Sequence, residues 1–302
     1  MQQDATAAHE AETRDRLKAI VLMVVAIALF SCLDASAKYL VTRRGIPVVE
    51  VAWLRFAGQA SYMLAIYLAF RLPRLIATRQ PWLQARRSLL MLATTAFNFL
   101  ASEYLRLDQT ITIVFLAPLV VALLAGPLLG EWVGWRRLVA VLVGFCGILV
   151  VVRPGFATMN PALGYAFLAM AVYAAFMLLT RHMGRVDDAF VTLFCSMLAG
   201  AFGLAPFALA GFVTPATSAD VALLAALGMF GGIGHFLFLH AYRLAPASTV
   251  TPFLYLQLVS MVALGYFVFG DIPDAWTLLG SSIVIGSGVY LVHREQRRRD
   301  AR

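Results

Sequence analysis

The feature that most constrains this chain is a succession of ten apolar stretches, each about long enough to cross a bilayer. They run at about 18–40, 47–70, 88–105, 109–129, 136–152, 161–181, 189–211, 219–242, 247–269 and 275–292. A hydrocarbon core about 30 Å thick takes roughly 20 residues of helix, so ten crossings and short loops use most of the 302 residues. Soluble domains carry about 25% charged residues. This chain has 13%, with 61% of its residues hydrophobic, too few charges for a water-facing surface. The expected fold class is an all-α membrane protein of ten transmembrane helices in contact with the lipid bilayer.

The basic residues sort to one side. With the N-terminus inside, eighteen of the 24 lysines and arginines lie on the inner side and four outside, while Lys38 and Arg55 fall within spans. Basic excess marks the cytoplasmic side, so both termini are expected there. Residues 1–17 read as a cytoplasmic N-terminal segment with no signal peptide, and 294–302 as a basic cytoplasmic tail. The longest loop, 71–87, holds five arginines and two prolines. Its charges sit between two spans, which argues against nucleic acid as a partner.

Little here supports chemistry on bonds. The three cysteines, Cys32, Cys146 and Cys195, lie inside apolar runs without CxxC spacing, so neither a disulfide nor a metal site is expected. The histidines are scattered, and no HExxH or paired intramembrane carboxylates occur. The chain is expected not to be an enzyme and to hold no cofactor.

The two halves resemble each other. Leu105-Arg106-Leu107 precedes span four and Tyr242-Arg243-Leu244 precedes span nine. Gly130-Glu131 closes the first of these and Gly270-Asp271 the second, with Trp135 and Trp276 shortly after. Phe30 to Tyr39 can be laid on Tyr173 to His182, which sets Lys38 over Arg181 and Asp34 over Met177. The repeats are read as 18–155 (spans 1–5) and 160–293 (spans 6–10). An odd number of spans per repeat inverts the second in the membrane. Inverted repeats are a transporter architecture in which cargo binds near the midplane and one half rocks against the other. Two halves in one chain allow a functional monomer. The other class of reading is a membrane pore or scaffold.

The sequence resembles the drug/metabolite transporter superfamily in its EamA-type branch. The resemblance is carried by FSCLDASAKYL at 30–40, WLRF at 53–56, FLAPLVVALLAGPLLGE at 115–131 and VGFCGILVVVRPG at 143–155. In the second half it is carried by RLAPASTVTPFLYLQLV at 243–259 and LGYFVFGD at 264–271. It covers about 18–293 and implies a ten-span secondary transporter of the bacterial-type inner membrane. The implied cargo is a small molecule: aromatic and other neutral amino acids for export, or alternatively S-adenosylmethionine or a nucleotide-like metabolite. The second repeat departs from the family pattern in ending Gly-Asp rather than Gly-Glu. The first has Asp108-Gln109 where an Ala-Pro-Ala-Ser turn is expected.

Ionisable groups inside spans cost roughly 2.5–3.5 kcal/mol each at the centre and are functional candidates by default. Here they are Asp34, Lys38, Arg55, Glu103 and His235, with His240 near a span end. Asp34 and Lys38 stand four apart on one helix and can pair, as a structural ion pair or a coupling group. Arg55 is expected to meet a substrate carboxylate, because a guanidinium grips carboxylates bidentately. Gln59, Asn98, Tyr255 and Gln257 are the polar groups near the midplane, and Trp53 and Tyr173 candidate aromatic walls of the binding site. Pro118 and Pro252 interrupt helices, and Gly228 and Gly232 form a Gly-x-x-x-Gly step; these four are the expected gating positions.

Overall fold

Apolar segments that must satisfy their own backbone polar groups form helices, and the computed structural model is helical. It describes residues 2–70, 78–117, 119–121, 124, 135–153, 160–183, 189–245 and 250–300, among which no strand occurs. The elements are α1 (Gln2–Arg44), α2 (Val48–Phe70), α3 (Pro81–Tyr104), α4 (Leu107–Val114), α5 (Trp135–Val152), α6 (Leu163–Met183), α7 (Ala189–Ala210), α8 (Ser218–Leu244), α9 (Leu256–Leu264) and α10 (Ala275–Asp300). A 3-10 turn, Thr251–Tyr255, enters α9, and a π-helical turn, Gly265–Phe269, leaves it.

Among the described residues, four stretches are long and apolar enough to cross a membrane: Arg14–Arg44, Leu163–Thr180, Phe190–Ala210 and Ser218–Leu244. Shorter apolar helices run over Leu107–Val121, Leu138–Val151, Phe253–Phe269 and Ala275–Tyr290. By length and composition alone the described residues mark four crossings of the ten expected, and two of the shorter apolar helices run into residues outside those described. Helix α3 begins earlier than expected. Pro81 stands in its first turn, where a missing N–H costs nothing, so the stretch expected as a loop to residue 87 is helical from 81. Helices α1 and α10 extend through the segments set apart at the two ends, to Gln2 and Asp300. Pro118 and Gly130-Glu131 lie outside the described residues.

The packing pattern repeats when each helix is exchanged for the one five places on. Helix α1 packs on α8 as α6 packs on α3. Helix α2 packs on α8 as α7 packs on α3, and α1 on α9 as α6 on α4. Helices α2 and α7, α5 and α10, and α4 and α9 pair with their own counterparts. Each repeat therefore buries its faces against the other. One core joins Leu33, Leu40, Ala52 and Phe99 of the first repeat to Leu224 and Leu227 of the second. Another joins Phe56, Met63 and Met91 to Phe194 and Met197.

Close approach depends on glycine where α2 crosses α8. A Cβ on Gly228 would lie 2.6 Å from backbone atoms of Gly58 and Gln59, nearer than real side chains come. Gly231 provides the second contact, against Gln59, while a Cβ on Gly232 would meet only ordinary contact at 3.7 Å. The expected Gly228–Gly232 step is therefore used as Gly228 and Gly231. Gly270 does a different task. Its φ of +74° is cheap only for glycine. It ends the π-helical turn and brings the Asp271 amide back to the Gly265 carbonyl at 3.0 Å.

Candidate functional site

Helix α3 presents two polar side chains three residues apart, hence on one face, and each holds a charge from another helix. Asn98 Nδ2 donates to Asp34 Oδ1 of α1 at 3.2 Å. Thr95 Oγ1 accepts from Arg55 Nη1 of α2 at 2.8 Å. The Arg55 guanidinium also lies 4.8 Å from the Phe56 ring, with only 6% of the residue exposed. Its Nε has no partner. Asp34 and Arg55 meet side chains three residues apart on α3, yet no ion pair within hydrogen-bonding range joins them among the described residues. The two are thus held near each other but apart, an arrangement suited to a ligand that carries both signs.

Gln59 lies one helical turn beyond Arg55, fully buried, with neither amide atom bonded. Tyr173 and Phe176 of α6 stack at 6.1 Å with 15° between their planes. Tyr255 is nearly buried and meets Phe115 edge-on at 5.3 Å, its hydroxyl filling the space that a Cβ on Gly288 would take. Gln257 is half-buried in the first turn of α9. Pro252 falls in the 3-10 turn entering that helix, so the backbone is irregular where the proline stands. Trp53 faces elsewhere: its indole donates to the Ala201 carbonyl of α7 at 2.8 Å, which ties it to a helix contact.

The expected pairing of Asp34 with Lys38 does not form. Lys38 donates to the Leu105 carbonyl at 2.9 Å, pairs with Asp271 at 3.6 Å and lies 4.9 Å from the Phe269 ring. A carbonyl, a carboxylate and a ring face at the helix end together outcompete a carboxylate one turn away. Lys38 therefore belongs to a polar layer at one end of the bundle that binds the repeats together. In the same layer Arg44 of α1 pairs at 2.9 Å with Asp220, which also caps α8 through Thr217. Glu50 of α2 accepts from the Val213 amide at 2.9 Å. Arg153 pairs with Asp274. Burial raises the Asp274 carboxyl, but hydrogen bonds from Thr277 and Arg153 outweigh it and hold the group below its ordinary range. At the other end Arg87 of α3 donates to Thr180 Oγ1 of α6, and to Ser196 Oγ and the Thr192 carbonyl of α7. Each end is thus clamped across the repeats, by ion pairs at one and, at the other, by the Arg87 guanidinium and the Gln84 amide on neutral acceptors.

Sequence reasoning missed Thr95, Arg87 and the Lys38 partners. Thr95 is legible only as the residue one turn before Asn98. Arg87 falls at the end of the expected inner loop, although its place beside Gln84 and Ser88 at the start of an apolar run is a helix-start signal.

The EamA-like transporter family matches residues 17–153 and again 160–293. The chain is 30% identical over 285 residues to the S-adenosylmethionine uptake transporter of Rickettsia conorii, covering 93% of this chain and 94% of that protein. It is 25% identical over 286 residues to the riboflavin transporter of Rhizobium johnstonii, covering 91% of each. It is 26% identical over 285 residues to the pseudopaline exporter CntI of Pseudomonas aeruginosa, covering 92% of this chain and 97% of that one. A solved crystal structure superposes with a TM-score of 0.62 at 21% identity, over 94% of this chain and 99% of its own. That likeness concerns the fold alone.

Proposed function

The chain belongs to the EamA-like transporter family, and from that membership we propose that it is a secondary carrier for S-adenosylmethionine or a metabolite of the same chemistry. Ten spans in two inverted halves would work by alternating access, with both termini in the cytoplasm, as the charge bias supports. The resemblance implies export of aromatic and other neutral amino acids. The relatives named above carry other cargo, and they favour the adenosyl alternative over that reading.

One observation carries the proposal: Asp34 and Arg55, opposite in sign, are held near each other by Asn98 and Thr95 without neutralising one another. S-Adenosylmethionine has a sulfonium, an ammonium and a carboxylate at one end and a heteroaromatic ring at the other. The Asp34 carboxylate suits the cationic groups. The Arg55 guanidinium, with Nε unpartnered, suits the carboxylate by bidentate contact. Tyr173, backed by Phe176, offers an aromatic face, and Asn98 and Gln257 supply amides. An amino acid has the charges without the need for so much aromatic surface. Riboflavin has the ring without a cation for Asp34.

Uptake into proteoliposomes is the test. Labelled S-adenosylmethionine should enter saturably, and unlabelled compound should compete far better than riboflavin or phenylalanine. Folded protein giving no saturable S-adenosylmethionine uptake, or preferring phenylalanine, would overturn the cargo.

A further inference from the structure

His235 sits in α8, inside the second repeat, and the arrangement just proposed does not use it. Its Nδ1 lies 2.8 Å from the Gly231 carbonyl one turn back. A carbonyl oxygen only accepts, so Nδ1 carries the proton, and in the neutral ring Nε2 is then an acceptor. No residue among those described donates to Nε2, and the side chain is half-buried rather than sealed.

The ring is also fixed in direction. It meets Phe30 of α1 edge-on, centroids 4.8 Å apart and planes at 66°. Phe30 is in turn seated over Gly234, where a Cβ would lie 2.7 Å from its ring. Phe30 stands one turn before Asp34 on α1, and Gly231, one turn before His235, packs against Gln59, one turn beyond Arg55 on α2. His235 therefore shares the region between the repeats with the two charges that hold the cargo. A histidine on an apolar face is usually a satisfied core residue. This one has one nitrogen satisfied and the other left as a directed acceptor.

We infer that His235 selects the base of the cargo by accepting a hydrogen bond from the exocyclic amine of an adenine ring. This rests on the adenosyl reading of the same site. Adenine offers an N–H at that position, whereas hypoxanthine has a carbonyl oxygen there. Two acceptors facing each other leave both unsatisfied, which is why sites that bond one edge reject its polar mismatch strongly.

The experiment compares S-adenosylmethionine with its deaminated analogue, S-inosylmethionine, as substrates in proteoliposomes. The wild-type KM ratio should favour the adenine compound by about tenfold or more, the loss expected when a buried acceptor goes unmatched. His235→Phe keeps a ring against Phe30 and removes the acceptor. It should raise the KM for S-adenosylmethionine and bring the ratio to within about twofold. His235→Gln, whose amide can accept or donate, should also shrink the ratio, and it serves if the Phe variant does not fold. Unchanged discrimination in the folded variants, or none in the wild type, would sink the His235 assignment and leave the cargo intact. Absence of any S-adenosylmethionine flux would remove both.

Discussion

At the scale of single residues, the proposed site rests on two charges, Asp34 and Arg55, that are near each other without pairing. Asp34→Asn keeps the side-chain shape and the Asn98 contact but removes the anion. It should raise the KM for a cationic cargo about tenfold or more, the worth of a desolvated charge-assisted contact, with smaller loss for uncharged competitors. Arg55→Lys keeps the cation but loses the planar fork, and should weaken cargo by losing its carboxylate contact. Equal affinities in both variants, measured by competition, would remove them from the site. These positions were legible because an ionisable residue in an apolar run is conspicuous. Their partners were not. Thr95 is ordinary in such a run, and only the fold shows that it receives Arg55. The pairing of Lys38 differs from expectation because the sequence displays the carboxylate one turn away and hides Asp271, which arrives from the far end of the second repeat.

At the scale of elements, the apolar periods place the helices well and their ends less well. Pro81 looked like loop and serves as a helix start. The irregular turns around α9 were legible at Pro252, but the π-helical turn before Gly270 has no sequence mark beyond the glycine. Glycine crowding in α8 signalled close packing, and the structure shows which glycines meet α2. Gly228→Leu would put a side chain where backbone already stands. Overpacking costs about 1–3 kcal/mol, and here the obstruction is backbone, so a thermal-unfolding assay should show a clear loss of stability. The same change at Gly232 should be milder, because that position has ordinary room. Equal losses at both would contradict the crossing described.

At the scale of the whole molecule, the helix pairings exchange under a shift of five, so each repeat is completed by the other. The internal repeat was readable from Leu-Arg-Leu, Gly-acid and Trp landmarks; the cross-repeat pairing was not, because landmarks give order and not neighbours. The two clamps bridge the repeats at opposite ends of the bundle and differ in chemistry. Under the proposed alternating access, one of them breaks at a time. Asp271→Asn should weaken the clamp at the Lys38 end, increasing the time that end stands open, as read by spin-label distances between α1 and the α9–α10 junction. The double exchange Lys38→Asp with Asp271→Lys should restore part of the wild-type distribution. Distances that do not change in either variant would take Lys38 out of the clamp. The central claim, a carrier rather than a pore, is tested most directly by counterflow. Proteoliposomes preloaded with unlabelled S-adenosylmethionine and diluted into a trace of label should accumulate label transiently above its outside concentration. Entry that is linear in concentration and indifferent to the preload would contradict the account.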